Sequence, residues 1–439
     1  MIKKITKTLM IGSSLVLSNS LSFAEAQAPA LKMSGFTSII ALCGDQSVKS
    51  NGKGGTDPSF AVGASDFRLT VGGKSAGDFG YKYVINFKTI PGQDPLVNRN
   101  YVEFDSNDIG SIQIGVVKGV DDSMTVDTYG IMGGTGGVDN GSAFNLINEA
   151  EGVINGVTLI GSTDTATKIN WFSPTVAIGE NLGSLQIGLS YTPNTSHNGK
   201  GARDNSQSGK SKFGNETNIY SKDGIVSPFG LKNVVYGITY KNTFGGYALT
   251  LSAIGVSEHS RAVVTNKSTG AKRTIALQRT GSYQLSAMLS AGQWDYTAAW
   301  LDNKKSRLNA SDITTSPDNK IVSVSSLLSQ NANLGNSGTA WNVGTRYSFG
   351  AYQAAVGYFR TDRKTDATQK ATMDAICTTL DFKALEGLKF FGEVNYIRTK
   401  TNKSQLAAAQ TFYENIAQGQ QAIGNNAGTV LILGTKVSF

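Results

Sequence analysis

Proline, cysteine and histidine are nearly missing from this chain: eight prolines, two cysteines and two histidines in 439 residues. His197 and His259 fall in polar segments, and no HExxH or CxxC spacing occurs, so a histidine-based triad or a zinc centre has no material. Cys43 and Cys377 lie far apart on segments that the pattern below does not make neighbours, so no disulfide is expected. Charged residues make up 16%, too few for a chain held open by self-repulsion, and hydrophobic residues 39%, below the globular norm. No apolar run beyond the N-terminus approaches the roughly 20 residues that a membrane-crossing helix needs. GGKS at 72–75 and SGKS at 208–211 fail as phosphate loops, because Arg68 and Asp204 stand where the upstream glycine is required. No cofactor, no metal and no nucleic-acid partner is expected, and the chain has no catalytic constellation.

What is abundant is glycine, with 51 residues, together with serine, threonine, asparagine and aromatics. That mixture suits many short strands joined by polar turns. The N-terminus is a separate matter. Lys3, Lys4 and Lys7 precede a short apolar stretch from Leu9 to Leu21, and small residues follow at Ala24, Ala26 and Ala28. This is the pattern of a secretory leader, residues 1–28, cleaved after Ala26 or Ala28; residues 29–439 form the exported body.

Period-two alternation runs through that body. FGYKYVINFK sets Phe79, Tyr81, Tyr83, Ile85 and Phe87 against Lys82, Val84, Asn86 and Lys88. SLQIGLSY, NVVYGITYK, WDYTAAWL and AWNVGTRYSF repeat the pattern, and GTVLILGTKVSF closes the chain with Leu431, Leu433, Val437 and Phe439 on one face and Lys436 on the other. The strands number about sixteen. Connections alternate short and long. The short ones (DSNDIG, NTFGG, SAGQ, SFGA, KALEG) have hairpin chemistry; the long ones are about 43–60, 89–97, 119–166, 193–232, 257–279, 303–338, 362–370 and 399–428. Long loops at one end only, and aromatics such as Phe349 and Tyr352 bracketing short turns, predict an all-β fold: a transmembrane antiparallel β-barrel of 16 strands, with short periplasmic turns, long extracellular loops and aromatic girdles.

At this point the chain resembles a family. The terminal TKVSF, ending on Phe439, resembles the C-terminal signal by which barrel-assembly machinery receives outer-membrane proteins. NRNYVEFDSNDIGSIQIGVVKG resembles the hairpin that leads into the third extracellular loop of Gram-negative general diffusion porins, and INWFSP with GSLQIGLSYTP resembles the hairpin after it. The resemblance covers the whole exported body. It implies a homotrimer of sixteen-stranded barrels, with loop 3 folded into the lumen and small hydrophilic solutes passing by diffusion. The sequence departs from the family in that loop: GIMGGTGGVDNG stands where a PEFGG-like signature would be.

A pore needs a wet lumen, a constriction and fixed charges rather than a nucleophile. The alternation turns Arg68, Lys82, Lys88, Arg99, Lys168 and Arg346 inward as a basic wall. The third loop carries Asp121, Asp122, Asp127, Glu149 and Glu151 and holds no Lys or Arg between Lys118 and Lys168. An acidic loop against a basic wall would set a transverse field across the constriction. Basic loop residues such as Lys200 and Arg203 are positioned to meet outer-membrane lipid and lipopolysaccharide. A substrate-specific channel of the same architecture is the alternative, but inward aromatics (Tyr101, Phe172, Phe359, Phe391) are too scattered for a sugar track. A barrel-anchored surface or adhesion protein is the other alternative, and no passenger domain is visible.

Overall fold

The computed structural model describes residues 29–50, 53–62, 65–74, 79–89, 96–137, 166–195, 219–220, 224–266, 272–276, 279–304, 337–364, 370–401 and 425–439. The leader expected at 1–28 lies outside them. Twenty strand segments share one antiparallel sheet: β1 (Ala30–Ser50), β2 (Lys53–Val62), β3 (Ser65–Lys74), β4 (Gly80–Thr89), β5 (Leu96–Ser106), β6 (Gly110–Val116), β7 (Thr167–Phe172), β8 (Val176–Ala177), β9 (Ser184–Asn194), β10 (Ile219–Tyr220), β11 (Gly224–Phe244), β12 (Tyr247–Asn266), β13 (Lys272–Ala276), β14 (Thr280–Ala291), β15 (Trp294–Asp302), β16 (Ser337–Phe349), β17 (Tyr352–Lys364), β18 (Lys370–Leu385), β19 (Leu388–Thr401) and β20 (Asn425–Ser438). Several segments continue one another. β2 and β3 lie end to end along β1, β7 and β8 along β9, β13 and β14 along β12, and β10 prolongs the β9 side of β11. The result is sixteen staves.

The sheet closes on itself. β1 pairs with β20 from Phe36↔Ser438 to Gln46↔Gly428, an unbroken register. Closure satisfies the edge groups that lipid cannot. At the seam, Phe439 and Gly35 exchange backbone hydrogen bonds of 2.9 and 3.0 Å. The Phe439 ring packs beside Phe67, 6.3 Å between centroids, in the space that Gly35 leaves by having no side chain.

Alternation decides the two faces. Leu433 is 53% exposed on the outside while its neighbour Ile432 is fully buried on the inside. Leu189, Tyr191, Tyr236, Ile238, Trp294 and Tyr296 also look outward. Hairpin ends are marked by glycines in the left-handed region, among them Gly292 and Gly350 (φ 60° each). Beside them runs a chain of ring contacts, Tyr296–Trp294–Tyr347–Phe349–Tyr352–Phe382, with centroids 4.5–6.0 Å apart. Tyr283–Trp300 and Trp341–Tyr358 mark the opposite level. These are the girdles at the two headgroup depths.

Two loops are shorter than the sequence suggests. β1 runs to Ser50 and β2 resumes at Lys53, so most of the stretch expected as a loop at 43–60 is paired strand; β12 and β13 likewise extend into the stretch expected at 257–279. Strand that projects past the hydrocarbon has no need of apolar residues, so its polar composition imitates a loop. Cys43 on β1 and Cys377 on β18 are free thiols on strands that do not pair.

Placing a charge on the outer face carries a penalty that placing one in the lumen does not. Leu433→Lys or Leu189→Lys should lower the unfolding free energy in lipid vesicles by about 2–4 kcal/mol, measured by denaturant titration of the folded band on unheated gels. A change below about 0.5 kcal/mol would contradict the assignment of that face to hydrocarbon.

Candidate functional site

The barrel interior is shaped by the segment between β6 and β7. Its described part, 117–137, enters the lumen through α1 (Val120–Met124), continues through a 3-10 turn (Tyr129–Ile131) and follows the inner wall past β9, β11, β12 and β15–β19. Sequence and wall are matched at three stations.

At the first station, Val120 and Met124 are buried against Val235, Ile254, Val256, Leu301 and Ala340, with Phe172 at the edge. All of these are inward-facing apolar residues that would otherwise meet lumen water; burying side chains of this size is worth about 1.5–3 kcal/mol each. The approach is close because the wall carries glycine there: a Cβ on Gly188 would lie 2.6 Å from Met124 Sδ and 2.7 Å from Val120 Cγ1. Ser190 Oγ accepts the Val120 N–H at 2.8 Å, satisfying the helix start.

At the second station Thr128 is fully buried. Its N–H donates to Asn342 Oδ1 at 3.1 Å, and its hydroxyl meets that of Thr297 at 3.0 Å. Its methyl group occupies the notch of Gly344 and Gly357; a Cβ on Gly357 would come within 2.6 Å of it.

The third station is the glycine-rich run Gly133–Gly137. The N–H groups of Gly133, Gly134 and Thr135 donate in turn to Thr379 Oγ1 (3.0 Å), Asp381 Oδ1 (2.7 Å) and Glu393 Oε2 (2.8 Å); the Thr135 hydroxyl adds a bond of 2.6 Å to Glu393. Asp381 and Glu393 are 2% and 1% exposed, so the backbone donors and Lys389, 2.6 Å from Asp381, are what make their burial tolerable. Nearby, Met132 packs on an apolar cluster of inward residues that includes Phe359, Phe391, Val430 and Ile432. From sequence, GGTGG reads as loose loop; the signal that it is a tether lies on β18 and β19, in inward-facing Asp381 and Glu393.

Against this geometry the residues expected at the pore separate into groups. Arg68, Lys82, Lys88 and Arg99 stand on β3, β4 and β5, on the inward parity of the register. Lys82 is bound to Glu103 at 2.7 Å, and Glu103 accepts from Gln113 at 2.9 Å. Arg68, Lys88 and Arg99 have no carboxylate partner among the described residues. Arg346 points inward but is clamped by Asp295, its Nε and Nη2 both donating to Oδ2 at 2.9 and 2.6 Å. Lys168 does not meet the lumen water: it is 1% exposed beneath the start of the loop and donates to the Val117 carbonyl.

Among the acids, Asp122 is exposed and paired with Lys118. Asp121 and Asp127 are buried along with Val120, Met124 and Ile131 of the same short segments, and Asp127 Oδ1 accepts the Gly130 N–H at 3.2 Å at the start of the 3-10 turn. Glu149 and Glu151 lie outside the described residues. Phe439 sits at the seam, as described above. Among the described residues, no group of three or more His, Cys, Asp or Glu stands where a metal ion could be held.

Comparison with known proteins agrees with this architecture. The family profile for Gram-negative porins matches residues 14–402, and the chain belongs to that family. It is an outer-membrane protein of the β-barrel class. Its fold is similar to that of OmpF from Salmonella typhi (13% identity, 93% of this chain and 97% of that one, TM-score 0.52). It is likewise similar to the trimer form of OmpT from Vibrio cholerae (11%, 94% and 100%, 0.52) and to an anion-selective porin from Comamonas acidovorans (10%, 94% and 100%, 0.51). An uncharacterized protein of Rickettsia prowazekii (strain Madrid E) is 22% identical over 298 residues, a match spanning 63% of this chain and 58% of that relative's length.

Burial pushes the Asp127 carboxyl up from 3.8 to about 6; Asp122 adds to the rise, and the Gly130 and Tyr129 N–H groups oppose it. A carboxyl raised in the docked state stabilises docking fully below its free value and loses that contribution as pH rises through about 6. Protection of the amides at Thr128 and Gly133–Thr135 from hydrogen exchange, corrected for intrinsic rate, should therefore fall as pH rises from about 4 to 7. Asp127→Asn should flatten that profile. A steep profile that survives the substitution would show that another group governs the seat.

Proposed function

We propose that this porin is a water-filled channel for passive diffusion of small hydrophilic solutes and ions, and that it works as a channel and not as an enzyme. The observation that carries the reading is the arrangement of the lumen. The described loop lines the β9–β19 side, and the β3–β5 arc opposite keeps Arg68, Lys88 and Arg99 without carboxylate partners among the described residues. Solutes pass between loop and arc. Asp66 shares that arc, but the three cations outnumber it, so the fixed charge they meet there is net positive and small anions pass more readily than cations of the same size. Unpaired cations on a wall of low dielectric act over longer distances than they would in bulk water.

The same reading takes residues 1–28 as a leader removed on export, Phe439 as the residue the barrel-assembly machinery receives, lipopolysaccharide as the outer-leaflet neighbour, and a homotrimer as the working unit. OmpT of Vibrio cholerae, with which the chain shares its fold, has a trimer form.

Liposome swelling with sugars of graded size tests the pore directly: a smooth decline with size and no saturation is expected. Saturation by one sugar would favour a substrate-specific channel, and absence of flux would favour a barrel used only as an anchor. Reversal potentials across a planar bilayer test the arc. The triple change Arg68→Gln, Lys88→Gln, Arg99→Gln should move selectivity toward cations by several-fold. Unchanged selectivity would remove the arc from the pore.

A further inference from the structure

A second cationic feature lies at the hairpin-turn end of the lumen, on β18–β20, with β1 between it and β3. In the sheet register Lys383 on β18 is directly opposite Lys389 on β19, and Lys389 is directly opposite Lys436 on β20. Three ammonium groups thus stand side by side on adjacent strands, on the inward parity. Like charges directly opposite one another destabilise a sheet. The nearby carboxylates offset this only in part: Asp381 lies 2.6 Å from Lys389 and Glu386 lies 2.7 Å from Lys383, while Lys436 has no carboxylate at ion-pair distance, feels Asp381 and Asp66 from farther off, and rests 4.0 Å above the Phe36 ring. Asp381 is itself divided, one oxygen on Lys389 and the other on the Gly134 N–H. All three lysines line one concavity of about 380 Å³, which Asp381, Glu386, Gln353 and Ser438 line as well, so its charge is net positive.

We propose that this row is a docking site for small multivalent anions, phosphorylated or polycarboxylate solutes, at the periplasmic mouth of the pore. A monovalent anion can meet one ammonium group; a multivalent one bridges two or three at the spacing the register fixes and relieves their mutual repulsion. Flexible lysines suit a site that must bind and then release, because each is a point charge on a mobile stem. The proposal rests on the reading of the barrel as a conducting pore.

Inorganic pyrophosphate is the probe. It is added to each side of a planar bilayer in turn, and its binding to the detergent-solubilised protein is measured in parallel by titration calorimetry. Wild-type current should be blocked from the turn side at lower concentration than from the loop side, with a matching heat of binding. The double variant Lys383→Gln, Lys436→Gln leaves Lys389 and the loop tether in place, and its folding is checked by unheated gel mobility. It should raise the half-blocking and half-binding concentrations about tenfold. Equal block from both sides, or the same shift from Lys304→Gln with Lys400→Gln, which lie just past the end of β15 and near the loop end of β19, would reduce the effect to net charge and overturn the site. A channel that conducts while pyrophosphate neither blocks nor binds overturns it as well. A protein that does not conduct fails the channel reading instead, and the calorimetric comparison still decides the site.

Discussion

The pairing of β1 with β20 is the contact on which the rest of the molecule depends. Hydrocarbon offers no partner to a backbone N–H or C=O, so a sheet in lipid either closes or leaves two edges unsatisfied. Here the register from Phe36↔Ser438 to Gln46↔Gly428 leaves no gap in the seam, and the last residue is held by Gly35 on both its N–H and its C=O. Closure also gives the faces their meaning. Once the ring exists, Leu431 and Leu433 have only lipid to face, while Lys436 and Arg346 have only the lumen. Each strand's alternation is then fixed against slippage, since a one-residue shift would exchange the two sets along its whole length.

Closure creates a second problem, which the loop between β6 and β7 solves. A barrel of sixteen staves encloses more space than its side chains can fill, yet part of its inner wall is apolar: Val235, Ile254, Phe359, Val430 and Ile432 all point inward. In an open lumen such residues would face water at a cost. The loop brings Val120, Met124 and Met132 to them and so turns a cost into a seat. Glycines on the wall set how near the loop can come, and Thr379, Asp381 and Glu393 take up its backbone donors. The two sets of contacts act together. Apolar burial carries most of the free energy without direction, and the ladder of hydrogen bonds fixes which residue lies against which strand.

Much of this was readable from alternation alone. Strand positions, the sidedness of Leu433 and Lys436, the hairpin glycines and the aromatic levels follow from local rules, because lipid on one side and water on the other impose a strict period of two. Lumen detail was less legible, and for a physical reason: inside the barrel a residue's environment is set by what lies across from it. Lys168 reads as a pore cation by parity, and only the seat of the loop above it makes it a buried donor to Val117. Asp127 reads as a constriction acid by composition, and only the 3-10 turn, whose Gly130 N–H its carboxyl accepts, makes it a buried turn residue. The strand extensions at Gly44–Ser50 and Lys53–Ser59 escaped for the opposite reason. Above the membrane the period-two constraint relaxes, and paired strand can carry any polar sequence.

The charge a solute meets therefore differs from the charge the sequence lists. Of the inward cations, Lys82, Arg346 and Lys389 are each held by a carboxylate, at 2.7, 2.6 and 2.6 Å. An ion pair at that distance presents a dipole to the lumen, and its field falls off faster than that of a single charge. On the loop, Asp121 and Asp127 are withdrawn from the lumen water, and Asp122 is matched by Lys118. With these groups set aside, Arg68, Lys88 and Arg99 still stand on one arc without a carboxylate partner among the described residues, while two of the three lysines at the turn end are paired, Lys389 with Asp381 and Lys383 with Glu386. The arc therefore presents unneutralised charge, and the turn end a row of ammonium groups whose field is partly cancelled by its own carboxylates, so the two act on a passing anion with different reach. Asp381 and Glu386 set that difference, because they stand against two of the three turn-end lysines, whereas no carboxylate among the described residues stands at ion-pair distance from Arg68, Lys88 or Arg99.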